Sequence, residues 1–120
     1  MNKVILIGNL VRDPDLAATA SGKNVCRFTV ATDRRSKEKI TDFHNIVAFG
    51  KTADICGQYL KKGNKVAVIG ELQYSTYEKD GQKRTSTAVI VNSVEFLTKM
   101  EHQEQLSAED LNDYKGDLPF

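Results

Sequence analysis

The sequence predicts an all-β domain of five strands, with one short helix between the third and the fourth strand. Three observations support this prediction. Apolar residues recur at every second position in several short segments, Gly, Pro, Asn and Asp separate these segments, and one segment after Gly50 changes to helical spacing. A chain of 120 residues can bury one core without cross-links. We therefore expect one folded domain.

The first two strands are predicted before residue 33. Residues 1–11 are rich in Val, Ile and Leu, and this segment closes at the turn around Pro14. After a small polar stretch at 19–24, which we expect to be a turn, residues 26–32 alternate between apolar and polar side chains. The pattern predicts a half-buried strand whose inner face is formed by Cys26, Phe28 and Val30.

A third strand, the helix and a final hairpin complete the domain. Residues 42–49 form the third strand, and residues 52–60 have helical spacing and end before Gly63, which can take a left-handed cap. Strands at 66–76 and 83–97 flank Asp80-Gly81, a strong hairpin signal. This order predicts an OB-fold, a five-stranded Greek-key barrel. An SH3-like barrel or a β-sandwich accommodates the isolated helix less well.

Charge divides the chain into two parts. Residues 1–100 contain sixteen Lys or Arg against ten Asp or Glu, a net charge of +6, whereas residues 101–120 contain six acids and one base, a net charge of −5. A basic body suggests a polyanionic ligand. We therefore expect a polyanion-binding domain over 1–100 and a disordered acidic tail over 101–120, because that tail has no apolar periodicity.

Signals for other protein classes are weak. The apolar runs are too short to cross a membrane and no signal segment opens the chain, so we expect a cytoplasmic protein without membrane partners. Cys26 and Cys56 lack the spacing of a zinc site, and the two histidines, His44 and His102, are too few for a metal triad or a Ser-His-Asp arrangement. We expect no metal, no cofactor and no enzymatic activity.

The third strand carries the main candidate binding residues. Phe43, Asn45 and Phe49 share one face, while Ile46 and Ala48 on the other face suit a core. Exposed rings flanked by Lys and Arg provide platforms on which bases stack while cations contact phosphates. The alternative is that the rings fill the barrel. The predicted set also includes two tyrosines of the fourth strand, Tyr74 and Tyr77. Its basic members are Lys3, Arg12, Arg34, Arg35, Lys37, Lys51, Lys61, Lys62, Lys83 and Arg84.

These residues also resemble a known family. The segments at 1–10, 12–14, 28–32, 43–51 and 59–63 are similar to the bacterial single-stranded DNA-binding protein family, and so is the tip Asp117-Leu118-Pro119-Phe120. The resemblance covers residues 1 to about 98. It implies an OB-fold, a homotetramer, sequence-independent binding of single-stranded DNA in replication, repair and recombination, and recruitment of partner proteins through the tip. On the face opposite the rings, His44 is the candidate interface residue.

The sequence also departs from the family pattern. The family commonly has tryptophan where this chain has Ser36, Phe43 and Tyr77, which implies weaker stacking, and the long linker before the tip is missing. A phage, plasmid or accessory paralog is therefore as credible as a housekeeping protein. Two other functions remain open: an OB-fold RNA-binding or RNA-chaperone protein, because stacking and phosphate contacts tolerate either backbone, and a protein-interaction module.

Overall fold

The computed structural model describes residues 1–98, which form six β-strands and one α-helix. The predictions for residues 101–120, including the tip, lie outside this range. The elements in chain order are β1 Val4–Leu10, β2 Asp15–Ala18, β3 Asn24–Asp33, β4 Thr41–Phe49, α1 Gly50–Tyr59, β5 Lys65–Lys79 and β6 Gln82–Phe96.

Five of the strands close into a barrel. β1 pairs antiparallel with β5 along its length and with β3 at Asn9 and Leu10. β5 and β6 form the long hairpin, β3 and β4 are antiparallel, and β6 joins β4 through a short parallel contact. The ring β1-β5-β6-β4-β3 returns to β1. This arrangement confirms the predicted OB-fold with its helix between the strands β4 and β5.

The strand β2 was not predicted, because the sequence pattern assigned no element to residues 15–18. All four of its residues are exposed, so this segment has no alternation that a sequence pattern could reveal. It pairs with β3 outside the ring, from Asp15 opposite Arg27 to Ala18 opposite Asn24. Leu16 packs so closely on α1 that a Cβ at Gly57 would lie 2.8 Å from its Cδ2. Tertiary contacts, rather than local pattern, therefore define this strand.

The core lies inside the ring and follows the predicted alternation. Its largest fully buried side chains include Val30, Ile46, Val66 and Val68. Cys26 and Cys56 are buried free thiols among these residues, and burial raises the pKa of Cys26 to about 11. Burial also raises the pKa of Cys56. Both thiols are therefore protonated at neutral pH and act as small core side chains, as predicted.

Two turns contain residues with positive φ values. Asp80 and Gly81 have φ values of 54° and 76°, as a two-residue hairpin turn requires, so the predicted hairpin is confirmed. Gly63 has a φ of 90°, but it does not cap the helix. α1 ends at Leu60, whose N–H donates to the Cys56 carbonyl, whereas the Gly63 N–H donates to the Leu10 carbonyl of β1. Gly63 thus joins the turn after α1 to β1 of the barrel through this hydrogen bond.

Candidate nucleic-acid interface

The outer face of β4 presents aromatic side chains to solvent. Because Ile46 and Ala48 point into the core, their neighbours along the strand point outward. Phe43 is 65% exposed and Phe49 is 42% exposed. The predicted exposure of both rings is confirmed, although their role in binding stays a prediction. We call this surface the aromatic face; it comprises Phe43, Asn45, Val47 and Phe49.

The neighbouring strand β3 supplies the floor beside these rings. Ala31 lies opposite Phe43, Thr29 opposite Asn45, and Arg27 opposite Val47. Small side chains next to Phe43 leave its ring open to a planar ligand. Arg27 is exposed on this face and was not among the predicted binding residues. Its outward position in the alternating pattern of β3 was the signal that could have identified it.

A cleft separates β4 from β6 beside the aromatic face. The two strands pair only at Ile46–Val89 and Val47–Ile90 and then diverge. The resulting cleft has a volume of about 390 Å³, and Phe43, Asn45 and Tyr77 lie along it together with the hydroxyl side chains of Thr85, Ser86 and Thr87. The predicted grouping of Phe43 with Tyr77 is therefore present, because both rings border one cleft.

The hairpin beyond the barrel forms an arm with two different faces. The arm comprises residues 73–87, all of which are exposed. Cross-strand pairing places Tyr77 opposite Arg84, and Lys79 opposite Gln82. Because side chains alternate along a strand, these residues share one face with Gln73, Ser75, Ser86 and Ala88. We call it the cationic face; the cleft is bordered by Tyr77 and Ser86 of this face and also by Thr85 and Thr87 of the opposite face.

The opposite face of the arm carries two residues that were predicted to belong with Tyr77. Tyr74 lies opposite Thr87, Thr76 opposite Thr85, and Glu78 opposite Lys83. We call this surface, formed by these six residues, the neutral face. Tyr74 and Lys83 therefore point away from Tyr77 and Arg84, and the structure does not assemble all four into one surface. The odd or even position of each residue along its strand predicts which of the two faces its side chain joins.

Basic residues flank the Phe43 end of the aromatic face. Arg34, Arg35 and Lys37 lie in the connection between β3 and β4, next to Phe43. The Arg34 guanidinium donates two hydrogen bonds to the Asp42 carboxylate, at 2.9 and 3.0 Å. This pair lowers the pKa of Asp42, chiefly through the hydrogen bond. Asp42 therefore offsets the charge of Arg34 at neutral pH, while Arg35 and Lys37 remain exposed.

A second basic group lies on the β1 side of the aromatic face. The turn containing Lys61 and Lys62 is held by Asp13, whose carboxylate accepts from the Lys62 N–H at 2.8 Å. The Asn9 side chain donates to the Gly63 carbonyl at 3.1 Å. Asn9 is opposite Ala31, which is opposite Phe43. Since neighbouring strands are about 4.8 Å apart, Asn9 lies two strand spacings from the Phe43 strand, and the turn that its side chain contacts lies just beyond Asn9.

Three other predicted residues have distinct positions. Lys3 precedes β1, a strand that pairs with β5 and β3 and not with β4. Lys51 is in the first turn of α1, close in sequence to Phe49. His44 is half-buried along the cleft, and its Nε2 lies 2.8 Å from the Thr32 hydroxyl.

Two further features of residues 1–98 concern other functions. No set of three or more His, Cys, Asp or Glu side chains in this range is arranged to hold a metal ion. Within the same residues, no helix has both the length and the apolar character needed to span a membrane.

Comparison with known proteins gives consistent matches. The family model described as "Single-strand binding protein family" matches residues 1–97. A single-stranded DNA-binding protein of Fusobacterium nucleatum is 49% identical over 102 residues, covering 80% of this chain and 66% of that protein. The single-stranded DNA-binding protein of Clostridium perfringens is 46% identical over 99 residues, covering 81% of this chain and 66% of that protein. The chain therefore spans slightly less than two thirds of the length of either relative.

Proposed function

The chain belongs to the single-strand binding protein family, and from this membership we propose that it binds single-stranded DNA without sequence preference and without catalysis. The observation that best supports this function is the exposed aromatic face, which two basic groups flank. Stacking on Phe43, Phe49 and Tyr77 accepts any base because every base has a π-face. Lys and Arg beside the rings contact phosphates, which are the same at every position of a strand.

We propose that the protein covers strands exposed in replication, repair and recombination, in the cytoplasm where the nucleoid lies. The phosphate contacts would come from residues near the aromatic face and the cleft. These candidates are Arg12, Arg34, Arg35, Lys37, Lys51, Lys61, Lys62 and Arg84, joined by Arg27. Lys3 and Lys83 lie on other surfaces and are weaker candidates for the same path.

The function is tested by comparing ligands of matched sequence at one salt concentration. Single-stranded DNA, single-stranded RNA and duplex DNA carrying one fluorescent label are titrated with the full chain. We expect the tightest binding to single-stranded DNA, with log affinity falling against log salt by about 0.7 per phosphate contacted. Tighter binding to RNA would favour an RNA-binding protein. Failure to bind any of the three would indicate a protein-interaction module.

We also propose that the chain assembles, with a homotetramer as the expected state. The surface concerned is the isoleucine face, formed by Ile5, Ile7, Ala67, Ile69 and Ser93. Ile5 and Ile7 are 64% and 55% exposed, and they pair with Ile69 and Ala67 across β1 and β5. Next to Ile69, the buried Ser93 hydroxyl has no hydrogen-bond partner within residues 1–98. Exposed isoleucines on one face favour burial against other copies.

Assembly is measured by light scattering of the full chain at micromolar concentration. We expect a mass of four chains for the wild type and a smaller species for Ile7→Asp, because a carboxylate on this face opposes burial. His44→Ala tests the predicted interface residue separately. His44 borders the cleft between β4 and β6, so we expect a smaller effect there than at the isoleucine face. A monomeric wild type would contradict the proposed assembly.

We further propose that Asp117, Leu118, Pro119 and Phe120 bind partner proteins. This segment combines a carboxylate with two large apolar side chains, which suits a partner with an apolar pocket beside basic residues. The partners would be replication and repair proteins. Deleting Leu118 to Phe120 should abolish their recruitment with little change in DNA affinity. Pull-downs with the full-length and shortened chains measure this effect, and identical sets of bound proteins would contradict it.

A further inference from the structure

A side chain ahead of β1 is hydrogen-bonded to the backbone of β5. The Asn2 amide nitrogen donates to the Leu72 carbonyl at 2.8 Å, and the Asn2 amide oxygen accepts from the Leu72 N–H at 2.9 Å. The pairing of β1 with β5 ends at Val4 and Gly70, and the same register continued two residues further places Asn2 opposite Leu72. The Asn2 side chain therefore replaces one more backbone pair between the two strands.

Leu72 is the residue at which β5 leaves the barrel. It is half-buried and packs against the core, whereas the arm begins at the next residue and is exposed throughout. On the side of β6, Leu72 pairs with Val89, which also pairs with Ile46 in the short parallel contact with β4. On the side of β1, the Asn2 amide holds Leu72. The root of the arm is therefore fixed from both sides.

The direction of the arm depends on the contacts at its root. A two-stranded ribbon is only marginally stable in water on its own, and every residue of the arm is exposed, so the arm has no packed face that would orient it. Its direction matters for the cleft. Tyr77 on the arm and Phe43 on β4 border the same cleft, and Leu72 lines it as well. A shift at Leu72 would therefore move Tyr77 relative to Phe43.

We propose that Asn2 is a positioning residue for DNA binding, which holds Leu72 and thereby keeps Tyr77 in place across the cleft from Phe43. Asparagine suits this role because its side chain presents a donor and an acceptor side by side, as a peptide group does. A strand that enters the cleft then meets an arm that is already oriented, so less ordering opposes binding. The inference rests on the proposed function, because it concerns the same binding surface.

Asn2→Ala removes both hydrogen bonds. We expect the affinity of the full chain for a one-site oligo(dT) to fall about threefold to tenfold, the net value of one or two ordinary hydrogen bonds. In a Tyr77→Ala background the same substitution should change the affinity less than about twofold, because the ring that it positions is gone. In a Phe49→Ala background the loss should remain, because Phe49 lies on β4. General destabilisation would produce equal losses in both backgrounds.

Asn2→Asp provides a readout that general destabilisation does not produce. Its carboxylate still accepts from the Leu72 N–H, but its second oxygen faces the Leu72 carbonyl oxygen. Protonation converts this oxygen to an O–H donor and restores both hydrogen bonds. The affinity relative to wild type at the same pH should therefore be low at pH 7 and recover between about pH 5 and pH 4, where the carboxyl group is protonated. Asn2→Ala retains the neighbouring charges of Lys3 and Glu71 and should not recover.

The inference and the proposed function fail in distinguishable ways. A wild-type chain that does not bind the one-site oligo(dT) contradicts the proposed function and the inference with it. If the wild type binds, equal affinity of Asn2→Ala, equal losses in the two backgrounds, or no recovery of Asn2→Asp at low pH would each overturn the inference alone. Circular dichroism and light scattering verify the fold and the assembly of every variant. If Asn2→Ala does not fold, Asn2→Asp at the two pH values decides the question.

Discussion

Replacing both Phe43 and Phe49 with alanine should weaken binding to a short single-stranded oligonucleotide more than any other pair of surface substitutions. Each stacked base is worth about 1 to 3 kcal/mol, so each ring should account for roughly a fivefold to 150-fold loss. Phe49→Ala alone should show a loss within this range. Fluorescence anisotropy with a labelled oligonucleotide at fixed salt measures the affinity of each variant.

The structure explains why this loss should occur in a folded protein. Both rings lie on the outer face of β4, whereas Ile46 and Ala48 fill the core from the other face. Tyr74→Ala is the comparison variant, because it removes a ring about as exposed as Phe43 from the arm and leaves the aromatic face of β4 intact. If the double variant binds normally, the rings do not stack with bases. If its circular dichroism spectrum shows unfolding, the rings support the core instead.

Gly70→Ala should cause a large loss of stability. A Cβ at Gly70 would lie 2.1 Å from the Ile90 carbonyl oxygen and 2.9 Å from its carbonyl carbon. These are backbone atoms of the neighbouring strand, next to the register shift between Ile69 and Gly70, so a rotamer change cannot relieve the contact. Strain of this kind costs about 3 kcal/mol or more. Urea unfolding should show a lower midpoint at an unchanged slope.

Gly22→Ala separates this steric cost from the cost of backbone conformation. Gly22 has a φ of 83°, and no neighbouring atom lies within 4 Å of the position that a Cβ would take there. The expected loss is therefore only that of a left-handed alanine, about 1 to 2 kcal/mol. Equal losses for the two variants would show that the Gly70 contact relaxes without strain.

The strands of the barrel could be predicted from the sequence wherever one face of a strand is buried. Cys26, Phe28 and Val30 alternate because they face the core, and Asp80-Gly81 supports left-handed backbone geometry. β2 is exposed throughout, so its existence depends on pairing with β3, which no local pattern encodes. For the same reason, pattern alone could not separate buried from exposed segments in the chain between residues 12 and 24.

The candidate binding residues were predictable to the extent that they share one strand. Phe43 and Phe49 were found because alternation along β4 assigns their face. The role of Lys3 stays a prediction, because β1 is not paired with β4 and only the order of strands around the ring relates the two. The pairing of Arg34 with Asp42 depends on the backbone of the connection between them, and this geometry has no signature in the residue types.

The short parallel contact between β4 and β6 is expected to form last as the barrel folds. The hairpins β3–β4 and β5–β6 join residues that are close in the chain, so little loop entropy opposes their formation. The contact of Ile46 with Val89 must instead close a long loop for only two paired positions. We therefore expect folding to end at this seam and native-state hydrogen exchange to begin there, between two hairpins that each keep their own pairing.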